Sequence, residues 1–126
     1  MPPVTPGAGK HAALAPLASC FVDVDAMPWT PTRWPGIHLK VLMEDKETGL
    51  LTALTKFDPG ATLPDHEHVE LEQSYVLEGR LVDHECSVGP GQYVWRPGGS
   101  RHSAHAPEGC LVLSFFLKPN RFFDAA

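Results

Sequence analysis

The chain has 126 residues, 43% of them hydrophobic, and a formal charge of −5. That composition suits one compact domain able to bury a core without disulfide staples. Its ten Lys and Arg do not cluster, so the basic patch that nucleic-acid binding requires is missing.

No stretch approaches the length of a membrane span. Leu17-Ala18-Ser19-Cys20 has the look of a lipoprotein cleavage box, but the apolar run before it is short, broken by Pro16 and without a clearly basic leader. The three cysteines, Cys20, Cys86 and Cys110, are odd in number and lack metal-ligand spacing. They favour buried free thiols in a reducing compartment, and the protein reads as cytoplasmic, with a Cys86 to Cys110 bridge left open.

Residues 1–19 are rich in Pro, Ala and Gly without sustained periodicity, and predict a flexible N-terminal arm ahead of a single domain over residues 20–126. Ile37, Leu39, Val41 and Met43 alternate with His38, Lys40 and Leu42, the pattern of a half-buried strand. Glu47-Thr48-Gly49 reads as a turn and Gly49 to Phe57 as the returning strand, stopped by Asp58-Pro59-Gly60. Glu72 to Leu77 predicts a strand, Glu78-Gly79 a turn, and Leu81 to Val88 another strand with Val82, His84, Cys86 and Val88 on one face. The last strands are expected over Tyr93 to Arg96, His102 to His105 and Cys110 to Leu117. With no convincing helical periodicity, short strands and close Gly and Pro turns predict an all-β sandwich or barrel.

The chemistry-bearing segment is His66-Glu67-His68-Val69-Glu70-Leu71-Glu72. On a strand, His66 and His68 project from the same face and can present two imidazoles to one ion. Glu72 has the same parity and can join them if the strand continues through a small irregularity, and Glu70, of like parity, could substitute for it. His102 must come from elsewhere, and Arg96-Pro97-Gly98-Gly99-Ser100-Arg101 is a turn that can carry it there. Three imidazoles and one carboxylate suit divalent Fe, Mn, Zn, Ni or Cu. His105 has the wrong parity for ligation, His84 is expected to face the pocket without binding metal, and His11 and His38 look unrelated.

Gly60, His66-x-His68, Glu72 and Gly79 form one spaced block, and Gly91, Pro97-x-Gly99 and His102 a second. In order and spacing these blocks resemble the two motifs of the cupins, over roughly residues 57–105. The resemblance implies a jelly-roll β-barrel of the RmlC-like kind, with His66, His68, Glu72 and His102 as metal ligands and the glycines and Pro97 at turns. Ala106 stands where the second motif commonly ends in Asn, so no contact from that Asn is expected. The stretch from Arg80 to Pro90 is short for the family, leaving room for a hairpin only.

Among cupins, Trp29-x4-Trp34-Pro35-Gly36, Tyr75 to Gly79 and Phe116-Leu117-Lys118-Pro119 resemble small single-domain proteins. These include acetylacetone-type and dihydroxyacetophenone-type dioxygenases and the zinc-binding cupin module of certain anti-sigma factors. The likeness implies an Fe(II) dioxygenase acting with O₂ on a small diketone, hydroxyketone or related chelating substrate, Zn, Mn and Ni being other candidate ions. The alternative is a non-catalytic Zn-binding sensor or regulatory module. Retention of Glu72 departs from the acetylacetone-cleaving enzymes, which use three histidines alone.

Arg96 and Arg101 are candidates to clamp an anionic substrate, and Tyr93 and Trp95, with Tyr75, Phe115 and Phe116, to line its pocket. Each aromatic can face only one way, and core or dimer-interface packing suits any of them equally. Apolar residues on both parities of several strands predict a homodimer.

Overall fold

The computed structural model describes residues 19–123, so nearly all of the expected arm lies outside the described residues. Eleven strands follow in order: β1 (Thr30–Pro31), β2 (Ile37–Asp45), β3 (Leu50–Phe57), β4 (Ala61–Glu67), β5 (Glu72–Gly79), β6 (Leu81–Val82), β7 (Ser87–Val88), β8 (Tyr93–Arg96), β9 (Arg101–Ala106), β10 (Cys110–Phe116) and β11 (Arg121–Phe122). The described residues contain no helix, and none is long and apolar enough to cross a membrane. The all-β expectation holds.

The strands assemble into two antiparallel sheets, a six-stranded one in the order β1-β2-β3-β10-β5-β8 and a five-stranded one in the order β11-β4-β9-β6-β7. Alternation decides which way each strand faces. Along β5, Ser74 and Val76 are buried while Tyr75 and Leu77 are exposed. Along β10, Cys110, Val112 and Ser114 are buried and Phe115 is exposed. Val76, Cys110 and Val112 meet Ile37, Phe57, Val88 and Ala106 in one apolar core, flanked by Trp34, Leu63, Leu81 and Val94, while the buried Ser74 and Ser114 hydroxyls pair with each other at 2.9 Å.

The β2–β3 hairpin closes as its sequence predicts, with the Gly49 amide donating to the Asp45 carbonyl at 2.8 Å. Two expectations need correction. Leu81 to Val88 is not one strand but a small hairpin in which Leu81 pairs with Val88 and Val82 with Ser87. Asp83 makes the reversal: its Oδ1 accepts from the amides of Glu85 and Cys86, each at 2.8 Å, an Asx-type turn that competes with strand continuation. His84 is thereby exposed at the turn and not directed into the barrel. The second correction is that Cys86 is exposed and Cys110 buried, both as free thiols.

Glu72 also reaches the interior by another route than strand parity. β4 ends at Glu67, and residues 68–71 carry the chain across to the other sheet, where Glu72 opens β5.

Gly79, where β5 meets β10, is tightly constrained. Its φ is +75°, and a Cβ there would lie 2.1 Å from the Gly109 carbonyl oxygen. Gly60 shares the left-handed φ, at +85°, but has nothing within 4 Å of its missing Cβ. Gly60→Ala is expected to cost about 1–2 kcal/mol, the strain of that φ alone. Gly79→Ala adds a backbone collision and should cost at least about 2 kcal/mol more. Urea denaturation of the two variants checks this, and equal midpoints would refute the packing argument.

Candidate metal centre

His66 and His102 are direct cross-strand partners on β4 and β9. That register brings their rings to a centroid distance of 4.6 Å. His68 follows just past the end of β4, and the Pro97–Ser100 turn fastens it: its amide donates to the Ser100 carbonyl at 2.8 Å, and its carbonyl accepts from the Gly99 amide at 2.7 Å. The turn approaches so closely that a Cβ on Gly98 would stand 3.0 Å from the Val69 carbonyl oxygen. His68 is fully buried and His66 nearly so. One ring nitrogen from each of the three histidines lies within 4.8 Å of the other two.

Hydrogen bonding decides which nitrogens these are. His66 Nδ1 lies 2.8 Å from the Pro64 carbonyl, which can only accept, so this nitrogen carries the proton. His102 Nδ1 lies 2.6 Å from Asp83 Oδ2. Burial works to raise the Asp83 carboxyl, but His102, the Cys86 and Glu85 amides and the Arg96 guanidinium outweigh it and hold the group below its ordinary value. It too is an acceptor. His68 Nδ1 is 2.8 Å from Ser100 Oγ, whose own proton goes to the Pro97 carbonyl at 2.7 Å, so here again the ring donates. All three Nδ1–H groups are committed outward, leaving the Nε2 lone pairs facing one another.

Burial pushes His66 from 6.5 down to about 4, reinforced by the neighbouring rings and opposed by the Pro64 carbonyl and Glu72. His102 is lowered chiefly by burial as well, against the pull of Asp83. Both are neutral near pH 7, the state in which imidazole ligates metals.

Glu72 stands beside this group, not within its mutual 4.8 Å set. Its Oε1 is 3.1 Å from His68 Nε2 and accepts from Asn120 Nδ2 at 3.2 Å. Its Oε2 accepts from Ser74 Oγ at 3.1 Å. His68 Nε2 is shielded from solvent with no hydrogen-bond partner; the 3.1 Å contact meets an ion-pair distance without hydrogen-bond alignment. A lone pair facing a carboxylate oxygen is repulsive unless a cation sits with them. The donor set therefore fits a divalent ion, and the three histidines form a site able to hold one.

The centre opens onto interior space. A cavity of about 50 Å³ is bordered by His66, Glu72, His102 and Asn120 together with apolar Leu63 and Phe116. It adjoins a vestibule of about 170 Å³ whose walls include Trp34, Leu39, Leu51 and Phe122.

The other residues singled out by sequence are placed differently. Tyr93 and Trp95 are 48% and 63% exposed, because β8 turns Val94 and Arg96 inward; strand parity removes both aromatics from the pocket. Phe116 borders it, whereas Tyr75 and Phe115 face outward. Arg96 borders a small space next to His102, but its guanidinium is engaged by Asp83 Oδ2 at 2.5 Å and by Glu85. Arg101 is half-exposed on the outside, paired with Asp65 at 2.5 Å and lying over the Phe123 ring. Glu70 is exposed, as is His105, which contacts the Thr62 hydroxyl at 2.8 Å. His11 lies outside the described residues.

Asp83, Ser100 and Asn120 were missed. Polar Asp83–Cys86 between Leu81-Val82 and Ser87-Val88 was a legible turn signal; Asn120 carried none beyond following Pro119.

Two facing antiparallel sheets with a three-histidine centre inside define a cupin of the RmlC-like jelly-roll kind. The chain belongs to the ChrR cupin-like domain family, whose pattern it matches over residues 17–119. No curated protein matches it. An acetylacetone dioxygenase from Acinetobacter johnsonii is similar at 19% identity, with a TM-score of 0.78 over 85% of this chain and 79% of that one. A proposed acetylacetone dioxygenase from Methylibium petroleiphilum PM1 is 22% identical, with a TM-score of 0.77 over 82% and 80% of the two chains. A cupin-like protein of unknown function from Ralstonia eutropha JMP134 reaches 28% identity and a TM-score of 0.66, over 70% of this chain and 59% of that one.

The lowered histidines set a pH dependence for the metal-stripped protein. An unfolded histidine takes up its proton near 6.5, whereas folded His66 resists until about 4. Between these values the unfolded state binds more protons, so stability is complete above 6.5 and declines as pH falls toward 4. The slope contributed by His66 is at most about 1.4 kcal/mol per pH unit, and His102 acts in the same direction. Urea midpoints of chelator-treated protein across this window check it, and a flat profile would count against the buried neutral rings.

Proposed function

We propose that this protein is a mononuclear metal-dependent dioxygenase acting with O₂ on a small chelating diketone, hydroxyketone or related compound. His66, His68 and His102 would hold the ion, with Glu72 as a fourth ligand. Fe(II) is the favoured metal, and Zn, Mn and Ni suit the same donors. The observation that carries the reading is the set of inward Nε2 lone pairs bordering an interior cavity with an apolar vestibule behind it. Bound Fe(II) would supply redox chemistry toward O₂ and Lewis acidity toward a ketone oxygen.

The protein's own contribution is positional and electrostatic. Pro64, Ser100 and Asp83 lock the imidazole orientations. Glu72 offsets part of the ion's charge, and the apolar walls displace water from a substrate. The likeness to acetylacetone dioxygenases supports the fold and is consistent with this chemistry.

One observation favours a second reading. The close contact between Glu72 Oε1 and His68 Nε2 would let four side chains close around Zn as a structural or sensing site. Glu72→Ala separates the two. An open Fe(II) centre should keep its metal on three histidines while its O₂ uptake with diketones and hydroxyketones changes. A closed Zn centre should lose metal and thermal stability, as His102→Ala should in either case. A metal-free, destabilised Glu72→Ala protein, from a parent holding four-coordinate Zn without water, would refute the enzyme reading.

We also propose a homodimer joined through the outer face of the six-stranded sheet. Tyr75 lies between Tyr93 and Leu113 there, and Gln73 between Trp95 and Phe115, forming an apolar patch with Leu77. Light scattering at micromolar concentration should give twice the chain mass, and Trp95→Glu should move it toward the monomer. A monomeric parent would refute this interface.

A further inference from the structure

Asn120 sits where the two interior spaces meet. It borders the cavity beside His66, Glu72 and His102, and it also borders the vestibule walled by Trp34, Leu51 and Phe122. One contact orients its amide: Nδ2 donates to Glu72 Oε1 at 3.2 Å. The flipped amide would set a carbonyl oxygen against a carboxylate, so Oδ1 is the atom turned away. That oxygen is shielded from solvent and has no hydrogen-bond partner.

An unpaired buried acceptor costs about 1–3 kcal/mol, and a native structure that keeps one usually supplies a partner from outside the chain. The surrounding wall does not supply that partner. The Thr32 hydroxyl donates to the Ile37 carbonyl at 2.8 Å and accepts from the Trp34 amide at 3.2 Å, and the Thr55, Ser74 and Ser114 hydroxyls that line the same spaces make no hydrogen bond to Oδ1.

We propose that Asn120 determines the substrate class: its Oδ1 accepts a hydrogen bond from an O–H or N–H group next to the chelating oxygens of the substrate, whose apolar end occupies the vestibule. The proposal rests on the reading that the histidines hold a metal. It chooses between the compounds left open above. A simple β-diketone bound as its enolate has no O–H or N–H to give, whereas a hydroxyketone or an N–H analogue keeps one. Asn120 also steadies Glu72 through its other end, so the residue that selects the substrate is tied to the metal centre itself.

The test uses Zn-loaded protein and two probes, benzohydroxamate and N-methylbenzohydroxamate, which chelate through the same two oxygens and differ in carrying N–H or N–CH₃; a clash of the methyl group would persist in the near-isosteric Asn120→Leu. Calorimetric affinities should favour the N–H compound by about tenfold in the parent. In Asn120→Leu, or Asn120→Ala if the first fails to fold, any loss of Glu72 support weakens both probes together, and their ratio should fall to about one. Equal affinities in the parent, a ratio that persists in the variant, or zinc-replete parent binding neither probe each overturns the proposal. Zinc content is measured first. Protein that takes up no zinc refutes the metal reading itself, and this inference with it; zinc-replete protein whose ratio ignores Asn120 refutes this inference alone.

Discussion

Three outward hydrogen bonds, from the Nδ1 atoms of His66, His68 and His102 to the Pro64 carbonyl, the Ser100 hydroxyl and the Asp83 carboxylate, constrain everything else at this centre. Each partner can only accept at that contact, so each ring has one tautomer and one orientation. Burial then keeps His66 and His102 neutral. Without those bonds the rings could turn their N–H groups inward, and the same residues at the same spacing would make a hydrogen-bonded cluster in place of a ligand set.

The fold exists around that constraint in a specific sense. β4 and β9 must pair so that His66 faces His102. The Pro97–Ser100 turn must reach back to His68 through its backbone, and a side chain at Gly98 would press tightly on the Val69 and Glu70 backbone. Residues 68–71 must then cross between sheets to deliver Glu72 from the far wall. The three histidines therefore come from the five-stranded sheet and the segment that leaves it, and the four-donor set with Glu72 is complete only where the two sheets meet.

Much of this was legible in the sequence because ligand motifs are local patterns. His66, His68 and His102 sit in turn-bounded blocks whose spacing survives any reading of the strands, and the alternation in Ile37 to Met43 and the mostly apolar run from Cys110 to Leu117 mark long strands. Strand parity and the cupin-like spacing both point to Glu72, although the chain leaves β4 before reaching it; the residue stands beside the histidines by a crossing between sheets that parity does not describe. Tyr93 and Trp95 show the limit of composition. Aromatics suit a pocket and an outer face equally, and only the register of β8 against β5 decides. The supporting residues were invisible for a plainer reason. Asp83, Ser100 and Asn120 act through contacts 19, 32 and 48 positions away in the chain, and short polar residues in turns have ordinary local reasons to be there.

The hairpin that supplies Asp83 has two-residue strands, and its hold on the rest of its sheet is a single pairing of Val82 with His105. With so short a ladder, Val88 in the apolar core and Leu81 packed against it supply the rest of its attachment. Were the hairpin displaced, His102 would lose the acceptor that fixes its tautomer while His66 and His68 kept theirs. Arg96, bridged to both Asp83 and Glu85, therefore ties the hairpin tip and the acceptor of His102 to the six-stranded sheet at one point.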